Sequence, residues 1–315
     1  MKQTEAFHNN SIKSLALDGN GDLLAGTDNG LYVYHNDVTP LQHIIHDSRN
    51  IQSLTNNIIW NIFADQEHNI WLGTDYGISL SRYNSALQFI PISQITGTGD
   101  GNQFYSLFRD SKGFYWFGGT NGLIRFTDPA GDKHNAIWYR MGDKTYPLSH
   151  NRIRHIYEDK EQQLWIATDG SINRYDYATR QFVHYNIVDS TGTYNANWTY
   201  YMFEDNAGHL WISTCLGGIF VVDKHRLMQS ASGQYVAEQN YSVHNGLSGM
   251  FINQIIPDNE GNVWVLLYNN KGIDKINPRT REVTKLFADE LNGEKSPNYL
   301  LCDEDGMLWV GFHGG

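Results

Sequence analysis

Apolar and polar residues alternate one for one along most of the chain, and the alternation breaks at regular intervals on an aspartate. Residues 58–83, IIWNIFADQEHNIWLGTDYGISLSRY, give one full cycle, and 104–126, 153–175 and 199–223 repeat it. A period of two sends successive side chains to opposite faces of a pleated ribbon, so these runs are predicted strands. The anchoring aspartates are Asp18, Asp65, Asp110, Asp159, Asp205, Asp258 and Asp303. Six residues after each stands Leu24, Trp71, Trp116, Trp165, Trp211, Trp264 or Trp309, and the anchors lie 45 to 53 residues apart. A tryptophan at one fixed offset in six of the seven copies marks an internal repeat.

The turns fit the same unit. Gly21, Gly113, Gly208, Gly261 and Gly306 stand three residues after their anchors, where a tight hairpin needs positive φ. The anchor carboxylate is placed to accept hydrogen bonds from turn N–H groups. A second turn, Thr27 to Gly30 or Thr74 to Gly77, leads into a third strand. A fourth β-rich stretch closes most copies: Leu87–Ile92, Ala136–Tyr139, Gln181–Tyr185, Tyr235–Tyr241 and Glu282–Phe287. No segment shows helical periodicity with caps. Four antiparallel strands per repeat make the blade of a propeller, so the expected fold is all-β, a seven-bladed β-propeller of four-stranded antiparallel blades with the last blade incomplete. Each Trp is expected to fill the wedge between neighbouring blades. The last copy reaches Gly315 before its third and fourth strands, and Thr4–Phe7 could supply one outer strand but not two. The chain is therefore expected to be an excerpt of a longer protein, with residues 1–315 forming a single propeller domain rather than the two domains that its length suggests.

Composition narrows the partners. The net charge of −11 argues against nucleic acid or an anionic membrane, which select an excess of Lys and Arg. Aromatics at 13% argue against disorder. Two Cys make no disulfide framework, and Cys215 and Cys302, two repeats apart, are expected to be core thiols. The opening residues show no apolar signal-peptide core, so no signal peptide is expected within these residues, and no apolar run is long enough to span a bilayer.

The repeats at Asp65–Tyr83, Asp110–Phe126, Asp159–Tyr175 and Asp205–Asp223 resemble the two-component regulator propeller repeat, whose usual form is Asp-x-x-Gly-x-Leu-Trp-Ile-Gly-Thr, then Gly-Leu and an aromatic-ended strand. Asp18–Tyr34 departs from it by lacking the Trp, and Asp258–Asn277 by reading Leu266-Leu267 in place of Gly-Thr. The resemblance implies a periplasmic sensor region of a Bacteroidetes hybrid histidine kinase. In that family two propellers commonly precede a β-sandwich, a transmembrane helix and the kinase. It further implies sensing of an oligosaccharide or other small molecule and control of polysaccharide-use genes. The partners it implies are a second propeller, downstream kinase modules and a homodimeric receptor. Kinase activity would lie outside this chain.

A ligand is expected where the scaffold varies. The loops leading into the first strands, 47–57, 93–103, 141–152, 186–198, 242–250 and 288–297, share a face with the turns joining strands two and three. Five positions before the anchors stand Lys13, Trp60, Tyr105, Arg154, Tyr200, Asn253 and Asn298, and Arg152 and Trp198 lie two residues further up their own strands. Flat aromatics beside Arg and Asn suit a sugar, whose C–H faces stack on rings while its hydroxyls meet forked polar groups. The candidate ligand contacts are Trp60, Tyr105, Arg152, Arg154, Trp198, Tyr200 and Asn253. No catalytic or metal-binding spacing is present, and no cofactor is expected: Gly246–Met250 fails the nucleophile-elbow pattern, and Asp18-Gly-Asn-Gly-Asp22 lacks the twelfth-position Glu of a calcium loop. Carboxylates across a cleft would allow a glycosidase or lyase instead, and a purely structural propeller is the third reading.

Overall fold

The computed structural model describes residues 10–35, 40–83, 89–91, 102–128, 136–145, 147–230, 234–268, 272–286 and 296–313. Six blades follow one another. The first holds β1 (Ile12–Leu17), β2 (Leu23–Thr27), β3 (Gly30–Tyr34) and β4 (Pro40–Ile44), hydrogen-bonded in that order. The second holds β5 (Ile59–Ala64), β6 (Ile70–Thr74), β7 (Gly77–Ser81) and β8 (Phe89–Pro91). The third holds β9 (Phe104–Arg109), β10 (Tyr115–Gly119), β11 (Gly122–Phe126) and β12 (Ile137–Tyr139). The fourth holds β13 (Ile153–Glu158), β14 (Leu164–Thr168), β15 (Ile172–Asp176) and β16 (Gln181–Val188). The fifth begins with β17 (Thr199–Glu204), β18 (His209–Thr214) and β19 (Ile219–Asp223), and the sixth holds β22 (Ile252–Pro257), β23 (Val263–Leu267), β24 (Ile273–Ile276) and β25 (Val283–Leu286).

The seventh anchor, Asp303, heads a sheet of two strands, β26 (Ser296–Cys302) and β27 (Leu308–His313). The seven-blade expectation is therefore not confirmed, and the described residues form six blades. The two-stranded sheet sits between the sixth blade and the first, where β26 packs against β22 and both its strands pack against β1. The strand proposed for Thr4–Phe7 lies outside the described residues.

Among the described residues one α-helix and one capped 3-10 turn, Val243–Asn245, depart from the expectation of no helix. A short helix, α1 (Lys224–Gln229), follows β19, capped by Asp223, whose side chain accepts from the Arg226 N–H. Six residues are too few for a helical period to show in the sequence. The predicted single strand over Tyr235–Tyr241 also divides. Gln234–Val236 forms β20, which adds in parallel to β16 on the fourth blade, and Gln239–Tyr241 forms β21, the fourth strand of the fifth blade.

Each anchor carboxylate organises its hairpin. Asp110 Oδ1 accepts from the N–H groups of Lys112 (3.0 Å) and Phe114 (2.8 Å), and the other anchors repeat the pattern. The second oxygen explains the fixed six-residue offset, which packing alone did not. Trp116 Nε1 donates to Asp110 Oδ2 at 2.7 Å, and Trp71, Trp165, Trp211, Trp264 and Trp309 bond their own anchors at 2.8–3.1 Å. Asp18, with Leu24 at the Trp position, spends Oδ1 on the N–H groups of Asn20 and Asp22, so it is a turn former like the others. Trp116 then packs on the following blade against Ile153 and Tyr175, as the wedge reading required. Cys215 is buried, Cys302 is half-buried, and both are free thiols.

Candidate functional site

The first strand of every blade carries the same irregularity. Ile59 pairs with Thr74 and Asn61 with Gly73, so Trp60 has no opposite number on β6. The same slip isolates Lys13, Tyr105, Arg154, Tyr200, Asn253 and Asn298. Each is the extra residue of a β-bulge, which bends the strand and re-aims the side chain. The five-before-anchor position is thus a built feature of the backbone, occupied by a different side chain in almost every blade.

Over blades one to five these side chains touch in series. The Lys13 ammonium lies 4.4 Å from the Trp60 ring. Trp60 meets Tyr105 edge-on, with centroids 5.4 Å apart. The Arg154 guanidinium lies between Tyr105 (5.8 Å) and Tyr200 (4.5 Å). Tyr200 meets Phe251 at 5.4 Å, and Phe251 stacks on Tyr268 at 4.5 Å. Asn253 behaves differently. Its Nδ2 donates to the Asn298 carbonyl (3.3 Å), and Asn298 Nδ2 donates to the Ile12 carbonyl (2.8 Å), so this arc ties the sixth blade, the two-stranded sheet and the first blade together.

A second tier comes from the turns between strands two and three. Ten residues after each anchor stand Asp28, Asp75, Thr120, Asp169, Cys215, Tyr268 and His313. The backbone N–H of Asp75, Asp169, Cys215 and Tyr268 donates to the carbonyl of Ile58, Arg152, Trp198 and Phe251 respectively, which holds the two tiers in register. Asp169 takes Arg154 in a two-point clamp, Nε at 2.6 Å and a terminal nitrogen at 3.1 Å, and Arg152 approaches the same carboxylate to 3.8 Å. Asp75 accepts from Trp60 Nε1 (3.0 Å) and from Gln103, which in turn accepts from the Tyr105 hydroxyl. Burial alone would discourage the charge on Arg154, but its bonds to Asp169 more than offset this and hold its pKa above the ordinary value. Burial raises the Tyr105 and Tyr200 pKa values against the opposing field of Arg154. Both phenols are therefore neutral, and Tyr105 donates to Gln103.

Of the predicted contacts, Trp60, Tyr105, Arg154 and Tyr200 are brought together, with Arg152 beside them through Asp169. Trp198 joins through the turn at Cys215, while Asn253 closes the ring. The sequence reading missed Asp75, Gln103, Asp169, Phe251 and Tyr268. Aligning the repeats ten residues after and seven before the anchors would have found them, because those columns diverge as strongly as the one chosen. Two other clefts lie toward the outer edge, one of about 270 Å³ beside Tyr185, Ser230 and Tyr235 and one of about 440 Å³ between Asp189–Tyr194 and Ala237–Asn245. No group of His, Cys, Asp and Glu among the described residues could hold a metal ion.

These features define a β-propeller of Asp–Trp-stapled blades with a side-chain-diverse mouth. A family model described as the two-component regulator propeller matches residues 53–76, 98–121 and 147–170, in step with three of the repeats. Those three segments of the chain carry that family's repeat. It is 94% identical over its whole length to the crystal structure of the extracellular domain of a candidate one-component system, BT4673, from B. thetaiotaomicron (TM-score 0.70), and spans 42% of that chain. Over 99% of its length the chain is also 95% identical to a second structure, the extracellular domain of a candidate hybrid two-component system of the same designation and organism, of which it again spans 42% (TM-score 0.69). Virginiamycin B lyase from Staphylococcus aureus shares the fold alone, at 10% identity over 100% of this chain and 96% of its own (TM-score 0.71). No curated protein matches the chain. Among the described residues no helix is long and apolar enough to cross a membrane.

Proposed function

We propose that this chain is the ligand-sensing propeller of the periplasmic region of a hybrid two-component system, and that its ligand is an oligosaccharide whose binding governs polysaccharide-utilisation genes. The observation that carries this reading is the bulge column. Seven in-register bulges repeat the backbone, while the side chains they present change from Lys to Trp, Tyr, Arg and Asn. A structural repeat has no need of that variety, and a binding surface does. The near-identity to an extracellular domain of a candidate hybrid system supports the receptor assignment. On this reading the β26–β27 sheet is the inner half of a seventh blade, and a second propeller, the kinase modules and a homodimeric receptor complete the signalling unit outside residues 1–315.

The test is calorimetry and glycan-array binding on the full sensor region. Saturable binding is expected, without cleavage on prolonged incubation, and it should vanish when Trp60, Tyr105, Arg154 and Trp198 are all changed to Ala. Binding unchanged in that variant would place the ligand elsewhere. Accumulating product would make the propeller an enzyme.

A further inference from the structure

This inference rests on the oligosaccharide reading and deepens it. We propose that the mouth takes an uncharged sugar, held off the propeller axis on an aromatic rim formed by Trp198, Phe251 and Tyr268, with its hydroxyls on the Arg152–Asp169–Arg154 group.

Three observations converge on that arc. The first is exposure. Trp60, Tyr105, Tyr200 and Phe251 are half-buried among their neighbours, whereas Tyr268 is 48% and Trp198 40% exposed. Tyr268 is backed by Phe251 and Phe251 by Tyr200, so its ring is a supported platform with a free face. The second is strain. Trp198 has φ of 57°, a left-handed conformation unfavourable for a bulky side chain. The four other such non-glycine residues among those described, His68, Gln162, Arg180 and Arg281, sit in turns outside the mouth, two of them at the hairpin position that glycine fills in other blades. Among the described residues Trp198 alone is strained at the mouth, fixed by the Cys215 N–H on its carbonyl at 3.0 Å. Strain of this kind persists where a side chain must be aimed.

The third is charge. Within the two tiers, the carboxylates of Asp28, Asp75 and Asp169 are matched in number by the cations of Lys13, Arg152 and Arg154, although the chain carries −11. The planar fork of Arg154 is already occupied by Asp169, so an acidic sugar would have to displace that carboxylate or lie against it. Arg152, less closely held and 43% exposed at its side chain, keeps donors free for hydroxyls. Aromatic faces beside compensated charges match a ligand with apolar C–H faces, many hydroxyls and no charge.

The experiment screens the full sensor region against neutral oligosaccharides and against uronate-containing and sulfated ones, at low and high salt. Neutral oligosaccharides should bind with little salt dependence. Tyr268→Ala should weaken them roughly tenfold or more, and Tyr268→Phe should retain binding because only the ring face is used. Unchanged thermal melting of both variants would show that the fold is intact. Binding confined to acidic sugars would overturn this inference and leave the oligosaccharide reading standing. Neutral binding indifferent to both Tyr268→Ala and Trp198→Ala would overturn the aromatic rim. Binding of neither class would overturn the oligosaccharide reading and this one with it.

Discussion

Lys224 offers a sharp test of how neighbouring blades are joined. Its side chain is wholly buried at the start of α1. Its Nζ lies 2.9 Å from Glu204 Oε1 and 3.3 Å from Asp159 Oδ2, two buried carboxylates on different blades. Glu204 also accepts from the Lys160 N–H (2.8 Å), and Asp159 from Trp165 Nε1 (2.9 Å). Lys224→Met keeps the length of the side chain and removes the one cation between them. Stripping one partner from a buried pair costs about 3–5 kcal/mol, because the charge left behind has neither water nor counterion. The N–H donors that remain place the expected loss toward the lower end, about 3 kcal/mol. Urea unfolding at neutral pH reads it directly. Adding Glu204→Gln to Lys224→Met removes one of the two stranded charges and should recover about half the loss. Burial opposes the charge on Lys224, but its carboxylate partners prevail and raise its pKa above the usual lysine value. Its contribution is therefore complete below the unfolded-state value near 10.5 and is lost only as pH rises through the folded one. The gap between wild type and variant should stay flat from pH 7 to about 9 and narrow above about 10.5. A loss under about 1 kcal/mol, or no rescue by Glu204→Gln, would refute the account of this cluster as an inter-blade bolt.

Two further outcomes can be stated. His155 stacks on Tyr201 at 3.7 Å and accepts the Met202 N–H, and burial pushes its pKa down to about 3. The unfolded chain takes up this proton below about 6.5, so stability should fall between pH 7.5 and 5 by up to about 2 kcal/mol, less to the extent that water reaches its half-buried ring. His155→Gln should remove that slope, and equal acid sensitivity in both proteins would count against it. Trp116→Phe takes the indole donor from Asp110 and should lower stability by about 1.5–3 kcal/mol. Asp110 Oδ2 keeps the Tyr177 hydroxyl at 2.6 Å, which favours the lower figure, and a thermal shift below measurement error would sink the staple reading.

What the sequence made legible was whatever a blade does within a few residues. The anchor, the glycine and the Trp all act inside one hairpin, so their offsets survive as a visible pattern. The bulge was only half legible. Its column of changing side chains could be seen, but a register slip is a relation between two strands, and the slipped residue looks like any other member of the alternation. Asp169 and Tyr268 were missed because they face their partners, Arg154 and Phe251, across fifteen and seventeen residues and a hairpin. The α1 helix and the parallel β16–β20 pairing were missed because an insertion used once leaves no period.

The same bulge position performs two tasks around the ring. In blades two to five it presents Trp60, Tyr105, Arg154 and Tyr200 to one another across the mouth. At Asn253 and Asn298 it supplies short amides that bond the next strand's backbone and so draw the ends of the chain together. A ring closed by non-covalent contacts must commit some of its repeated positions to closure. Those positions are then unavailable to a ligand, and side chains that satisfy a neighbouring carbonyl are poor candidates for recognition. The asymmetry of the mouth, aromatic and cationic on one arc and amide on the other, follows from that division of labour. Asn253, as good a sugar contact by residue type as any, thus commits one amide N–H to closure.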